Sequence, residues 1–269
     1  MSASKSKFIT DEREPQDPKI LIWDIETAPV LGYMWGAYEQ NLLWKAHDWY
    51  LLTISWRWEG EKKVNVLGLD DFPESYAKNS KNDYPLVKQA WDLFNEAHQV
   101  VAHNGVAFDT KKAKARMIIQ GFPPNSPFKE VDTLKIAKKY FKFTKNRLGD
   151  VCEALGYGTK AETGGLSLWT DIVEHGDPKA WAKMKKYNKQ DVELLTKLYH
   201  GLRPWAERLP NLATMADRPD ACPICLSEVG MKRRGYYDNN LSVRVKFRCD
   251  GCGGYSPGRE IFKTETKFT

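Results

Sequence analysis

The sequence predicts an α/β domain whose mixed sheet is flanked by helices, followed by a small C-terminal module built around cysteines. Three observations predict it. Three apolar, β-rich segments come first, then a helix, another short strand and a run of helices, an order that fits a mixed sheet and not repeated βαβ units. The 269 residues suffice for one substantial domain and an appended module. The composition changes near Arg208-Leu209-Pro210-Asn211 and from Asp220 onward is rich in Gly, Cys, Arg and short β-like pieces, which places a boundary around residues 206–220.

Residues 1–18 are polar and charged with no apolar stretch, so they read as a flexible arm and not as a secretory signal. Residues 19–23 are an apolar run expected as a buried strand, opening a domain over 19–206. The aromatic stretch 28–48 reads as a long loop, and such loops are more often functional than idle. Two further strands are expected at 51–58 and 64–69, joined by a turn at 59–62. Leu86, Val87, Ala90, Leu93 and Phe94 recur at helical spacing across 84–97, and 99–102 follows as a strand. A helix over 109–120 is stopped by Gly121 and Pro123-Pro124, with further helices at 133–141, 148–155 and 180–202.

Composition narrows the function classes. Hydrophobic residues make up 42% and charged residues 28%, as in ordinary soluble chains. No apolar run approaches the ~18 residues of a membrane helix, so no membrane partner is expected. The reading is cytoplasmic, in a host's cytoplasm if the chain comes from a phage, with thiols reduced. The net charge of +6 is a mild attraction to polyanions.

Three acidic motifs carry the chemistry. Asp24 and Glu26 alternate along the end of the first strand, so both project to one face about 7 Å apart, where they repel unless a cation lies between them. Asn104-Gly105-Val106-Ala107-Phe108-Asp109 follows a strand and opens a helix, where Asp109 also suits a simple helix cap. Tyr187 and Asp191 stand at i, i+4 on one helix face, which taken alone is also consistent with a solvated surface crowded by Lys185, Lys186 and Lys189.

In order and spacing these strings resemble the three motifs of the DEDD 3′-5′ exonuclease superfamily, which includes polymerase proofreading domains. Asp-x-Glu is matched by Asp24 and Glu26, Asn-x-x-x-Phe-Asp by Asn104, Phe108 and Asp109, and Tyr-x-x-x-Asp by Tyr187 and Asp191. Lys186 stands where the histidine subgroup would carry His, so the tyrosine subgroup fits. The resemblance covers residues 19–205 and implies a ribonuclease H-like fold. It implies two Mg²⁺ or Mn²⁺ ions, with Asp24, Glu26 and Asp191 on the nucleophile side, Asp24 bridging, and Asp109 contributing directly or through water. It further implies that Tyr187 orients the attacking water, while Thr27, Asn104 and Phe108 position the terminal nucleotides. Hard oxygen ligands suit those ions, and a pair about 3.5–4 Å apart suits phosphodiester hydrolysis. Asp132 reads as a helix cap or a further catalytic acid, and His103 as a packed or surface histidine.

Cys222-x-x-Cys225 and Cys249-x-x-Cys252 are spaced as two knuckles of a structural Zn²⁺ site, a zinc ribbon over 219–263. Nine Lys/Arg against five Asp/Glu follow Ala221, and the alternating Arg244, Lys246 and Arg248 read as a strand with one basic face, open to nucleic acid or to protein. Cys152, among apolar neighbours, is expected to be buried and inert.

The expected activity is 3′-5′ exonucleolytic release of nucleoside monophosphates from nucleic acid, with DNA the favoured reading although DNA and RNA present the same scissile phosphate. The expected partners are a 3′ end, single-stranded DNA foremost, and a separate polymerase or replication protein. A structure-specific endonuclease on the same fold and a non-enzymatic binding module are the competing readings.

Overall fold

The segment ILIWDIET forms β1 (Ile20–Thr27), the central strand of a five-stranded sheet. The computed structural model describes residues 16–36, 38, 41–160, 164–239 and 242–262. They fall into two units, one over Lys19–Leu209 and one joining residues 16–18 to 210–262. Most of the arm expected at 1–18 lies outside the described residues. Of the remainder, Asp17 pairs with Arg218 at 3.1 Å.

In the larger unit, β1 leads into β2 (Leu31–Tyr33) and β3 (Trp44–His47), a separate two-stranded hairpin. The stretch expected as loop thus contains a hairpin, held in part by Tyr33 stacked on Trp44 at 5.5 Å. Next come β4 (Leu51–Trp58), β5 (Asn65–Gly68), α1 (Pro73–Lys78), α2 (Tyr84–Glu96) and β6 (Gln99–Ala102). They are followed by α3 (Asp109–Ile119), β7 (Lys129–Asp132), α4 (Thr133–Tyr140), α5 (Leu148–Ala154), α6 (Ser167–His175) and α7 (Pro178–Leu202). Sequence periodicity does not announce α1, β7 or α6. β7 is four residues with a single apolar side chain, and it is strand because β6 offers it a parallel edge.

The sheet order is β5-β4-β1-β6-β7, with β5, β4 and β1 antiparallel and β1, β6 and β7 parallel. β1 extends four residues beyond its expected end. Its first half is buried on both faces, as a strand covered by helices on each side must be. Trp23 meets Phe94 of α2 edge-to-face at 4.8 Å, while Asp24, on the opposite face, meets α7. α7 packs on β1, β4 and β5. Its start is fixed by Asp177, which caps the Lys179 N–H, and by Pro178 in the first turn.

The smaller unit contains α8 (Leu212–Met215), β8 (Met231–Asn239), β9 (Ser242–Cys249) and β10 (Tyr255–Phe262). The three strands form one antiparallel sheet with β9 in the middle. Among the described residues no helix is long and apolar enough to cross a membrane.

Candidate active site

The acidic residues gather at the carboxyl ends of the parallel strands, where open α/β sheets form their crevices. β1 pairs with β6 only over Ile20 to Ile22, so the half bearing Asp24 and Glu26 runs past the end of its parallel neighbour. α7 crosses that half. The Asn188 amide donates to Asp24 Oδ2 at 2.7 Å and accepts from the Thr53 hydroxyl at 3.0 Å, clamping the carboxylate from a buried position. One turn on, α7 delivers Asp191. Oxygen atoms of Asp24, Glu26 and Asp191 lie within 4.8 Å of one another.

Asp109 stands outside that tight trio but against it. It is the first residue of α3 and is buried, and its carboxylate is hydrogen-bonded to the Ile25 main-chain N–H between Asp24 and Glu26. The residue before α3, Phe108, makes no side-chain cap and is 40% exposed. Asn104 adopts the left-handed region at φ 73°, and its N–H donates to Asp132 at 2.9 Å. A β-carbon at Gly105 would collide with that of Ala102, so this turn needs glycine. Asp132 also caps α4 through the N–H groups of Leu134 and Lys135. His103 is pinned between the Thr133 hydroxyl and the Asn146 carbonyl, each at 2.9 Å.

Crowding acids together in a low-dielectric crevice makes their ionisation costly. Burial, then the charges of Asp109, Asp191 and Glu26, raise Asp24 well above the usual carboxylate range. Burial first and Asp191 next push Glu26 up to about 8, and burial lifts Asp109 to about 7. Burial likewise raises Asp191. Asp191 Oδ1 is buried with no hydrogen-bond partner among the described residues, although its charge is the kind that water or a cation must satisfy. Three carboxylates with oxygens this close, one of them carrying an orphaned oxygen, form a donor set that fits a divalent ion with hard oxygen ligands.

Lys160, which no sequence motif marks, supplies the local counter-charge. Its ammonium is 2.8 Å from Asp191 Oδ2 and 4.4 Å from the Tyr187 ring centre, and it draws down the pKa of Asp24 and of Glu26. Burial pushes the Tyr187 phenol up to about 12. At neutral pH it is a hydrogen-bond donor and not a base.

Two hollows adjoin the acids. One, of about 630 Å³, has Asp24 and Asp191 in its wall together with Lys138, Lys145, Arg147 and Lys160. The other, of about 400 Å³, is lined by Thr27, Val30, Trp49, Lys112 and Trp169 among others. There the Lys112 ammonium donates to Thr27 Oγ1 at 3.0 Å and sits 4.3 and 4.5 Å from the ring centres of Trp49 and Phe108. Trp49 and Lys112 lie outside every recognisable motif, and only the fold sets them beside Thr27 and Phe108.

In the smaller unit the sulfurs of Cys222, Cys225, Cys249 and Cys252 lie within 4.8 Å of one another. Cys222 to Cys252 is 3.9 Å and Cys225 to Cys249 is 3.8 Å. Four sulfurs ~2.3 Å from a tetrahedral centre stand about 3.8 Å apart, so the cluster fits one Zn²⁺. Hydrogen bonding from Cys222 holds the Cys225 thiol down to about 5, poised as thiolate. Cys152 is buried in the larger unit, and burial raises its thiol to about 11.

Residues 47–203 match the RNase_H_2 family of the RNase_H superfamily. That span includes Asp109, Tyr187 and Asp191 and begins after Asp24 and Glu26. Over 90 residues the chain is 29% identical to the PolC-type DNA polymerase III of Ureaplasma parvum serovar 3, a match that takes in 33% of this chain and 6% of that protein. Its fold resembles the family B DNA polymerase of the hyperthermophilic archaeon Pyrobaculum calidifontis, with a TM-score of 0.52 and 14% identity, over 86% of this chain and 32% of that one. The chain therefore spans a small part of the polymerases it matches.

Proposed function

This chain belongs to the RNase_H superfamily, and from that premise we propose that it is a metal-dependent 3′-5′ exonuclease of the tyrosine subgroup of DEDD enzymes. The observation that carries the reading is the trio of Asp24, Glu26 and Asp191 oxygens within 4.8 Å, with no hydrogen-bond partner for Asp191 Oδ1 among the described residues. Asp24, Glu26, Asp109 and Asp191 would hold two Mg²⁺ or Mn²⁺ ions. Such ions make a nucleophile available at neutral pH and relieve charge on the leaving oxygen.

The protein's own groups supply the rest. The Asn188 amide fixes the orientation of Asp24, and the Tyr187 hydroxyl orients the attacking water by hydrogen bonding. Lys138, Lys145 and Arg147 give an acidic crevice a basic wall, which draws in the phosphate backbone while the carboxylates alone would repel it. Thr27, Asn104 and Phe108 seat the terminal nucleotide. Water attacks phosphorus, the bond to the 3′ oxygen breaks, and that oxygen is protonated as the 5′-monophosphate leaves. DNA is the favoured substrate, and the similarity to two DNA polymerases supports service to a separate polymerase or replication protein. The four cysteines of the smaller unit would hold one structural Zn²⁺, forming a zinc ribbon.

Gel analysis of 5′-labelled single- and double-stranded DNA and RNA with Mn²⁺ tests the reading. A ladder shortening from the 3′ end supports it, and a 3′-blocked oligonucleotide should stall. Asp191→Ala should slow the reaction by about 1,000-fold, the rate equivalent of several kcal/mol of charge stabilisation. Internal cuts in the blocked strand would favour an endonuclease, and no cleavage with either ion would leave a binding module.

A further inference from the structure

The C-terminal sheet carries a surface for which the hydrolytic reading has no use. β9 is the middle strand, and side chains alternate across it, so Val243, Val245, Phe247 and Cys249 share one face while Arg244, Lys246 and Arg248 share the other. Residues directly opposite in antiparallel pairs lie on the same face. Lys232 of β8 and Tyr255 of β10 therefore flank Arg248, and Tyr237 and Ile261 flank Arg244. The two faces differ in burial along β9 itself, although on the outer strands the face opposite the cations also carries exposed rings, Tyr236 and Phe262. Val245 and Cys249 are buried, whereas Tyr237, Tyr255 and Ile261 are 40, 54 and 54% exposed.

Three charges at two-residue steps along β9 are about 6.7 Å apart. That is close to twice the 3.4 Å per nucleotide of a stacked duplex strand, hence roughly the phosphate spacing of an extended one. Among the described residues Lys232 has a carboxylate partner on this face, Asp250 at 2.7 Å, while no carboxylate pairs with Arg244, Lys246 or Arg248. The Arg248 charge also acts on Asp250, yet among the described side chains the cations of this face outnumber its carboxylates and so attract an outside anion. The tyrosines narrow the choice of anion. Tyr237 and Tyr255 stand beside the cations on the two outer strands, and Lys246 lies 5.9 Å from the Tyr255 ring centre. Exposed rings next to a basic track stack on unpaired bases, which a duplex keeps hidden.

We propose that this face of the β8–β9–β10 sheet binds single-stranded nucleic acid, with Arg244, Lys246 and Arg248 on consecutive phosphates and Tyr237 and Tyr255 on bases, without sequence preference. This contact lies wholly within the smaller unit, and it does not depend on the hydrolytic reading.

Fluorescence anisotropy tests it on the full chain, using a labelled oligothymidylate titrated at several KCl concentrations without added divalent ions, with strand length checked on a gel afterwards. Arg244→Ala/Lys246→Ala/Arg248→Ala should weaken binding at least tenfold at low salt. It should also flatten the slope of log K against log salt by about 2, since each lost phosphate contact in a single strand is worth about 0.7. Tyr237→Ala/Tyr255→Ala should weaken binding about fivefold or more and leave that slope unchanged, because stacking releases no counterions. Wild-type affinity and slope in the charge variant would overturn the proposal. So would silent tyrosine substitutions with duplex bound as tightly as single strand, or tighter binding of an acidic polypeptide. If the charge variant loses its wild-type melting transition, the tyrosine variant decides alone.

Discussion

Glu26→Gln isolates the electrostatic cost of the crevice. With its carboxyl lifted from 4.5 to about 8, chiefly by burial and then by Asp191, the folded chain binds a proton at Glu26 that the unfolded chain has released. Stability from this group is complete below pH 4.5 and is lost as pH rises through 8. A shift of that size sets a ceiling of about 5 kcal/mol. Glu26 is only half-buried, so solvent screening reduces the expected effect to about 2 kcal/mol. Asp24, Asp109 and Asp191 are raised as well and act in the same direction. Without added divalent ions, the Tm of the wild-type chain should therefore fall between pH 5 and pH 8. At pH 8 Glu26→Gln should melt about 4–8 °C higher than wild type, taking 2–4 °C per kcal/mol for a unit of this size. Mn²⁺ at 100 times its Kd should restore about 2.7 kcal/mol to wild type at pH 8 and much less to the variant. Differential scanning fluorimetry at both pH values, with and without Mn²⁺, measures all three effects. A variant that melts below wild type at pH 8 in the absence of metal would refute the reasoning, as would equal Mn²⁺ shifts in the two proteins.

Asn188→Ala removes the amide that joins Thr53 to Asp24 and should cost about 1–3 kcal/mol in urea unfolding, with a loss of hydrolysis larger than that of stability. Asp83 is wholly buried and bonded to Arg116 at 2.6 Å and to the Leu51 N–H at 2.9 Å, so Asp83→Asn should destabilise the larger unit by about 3 kcal/mol in the same assay. Cys249→Ser should lower zinc content from one equivalent to near none and abolish amide-exchange protection in β8–β10, while protection in β1 persists.

Much of the fold class was legible because burial leaves a period in the sequence. The continuous apolar run at the start of β1 and the apolar spacing of α2 declare a covered strand and an amphipathic helix. Elements whose form comes from a neighbour left no such period. β7 needs the edge of β6, and the β2–β3 hairpin keeps its aromatic side chains exposed, so neither shows the alternation that signals a half-buried strand.

The sequence by itself determined the chemical inventory, namely three acidic strings at recognisable spacing and two Cys-x-x-Cys knuckles, because local geometry alone decides which nearby side chains share a face. Only the tertiary structure decided which distant groups meet them. Lys160 pairs with Asp191, Asn188 bridges Thr53 to Asp24, Lys112 lies between Trp49 and Phe108, and Tyr237 and Tyr255 flank the cations of β9. These partners come from separate elements, and their distances depend on where β1 ends relative to β6, how α7 crosses it and how β8 and β10 register on β9. A sequence does not display those relations, because packing sets them and adjacency along the chain does not.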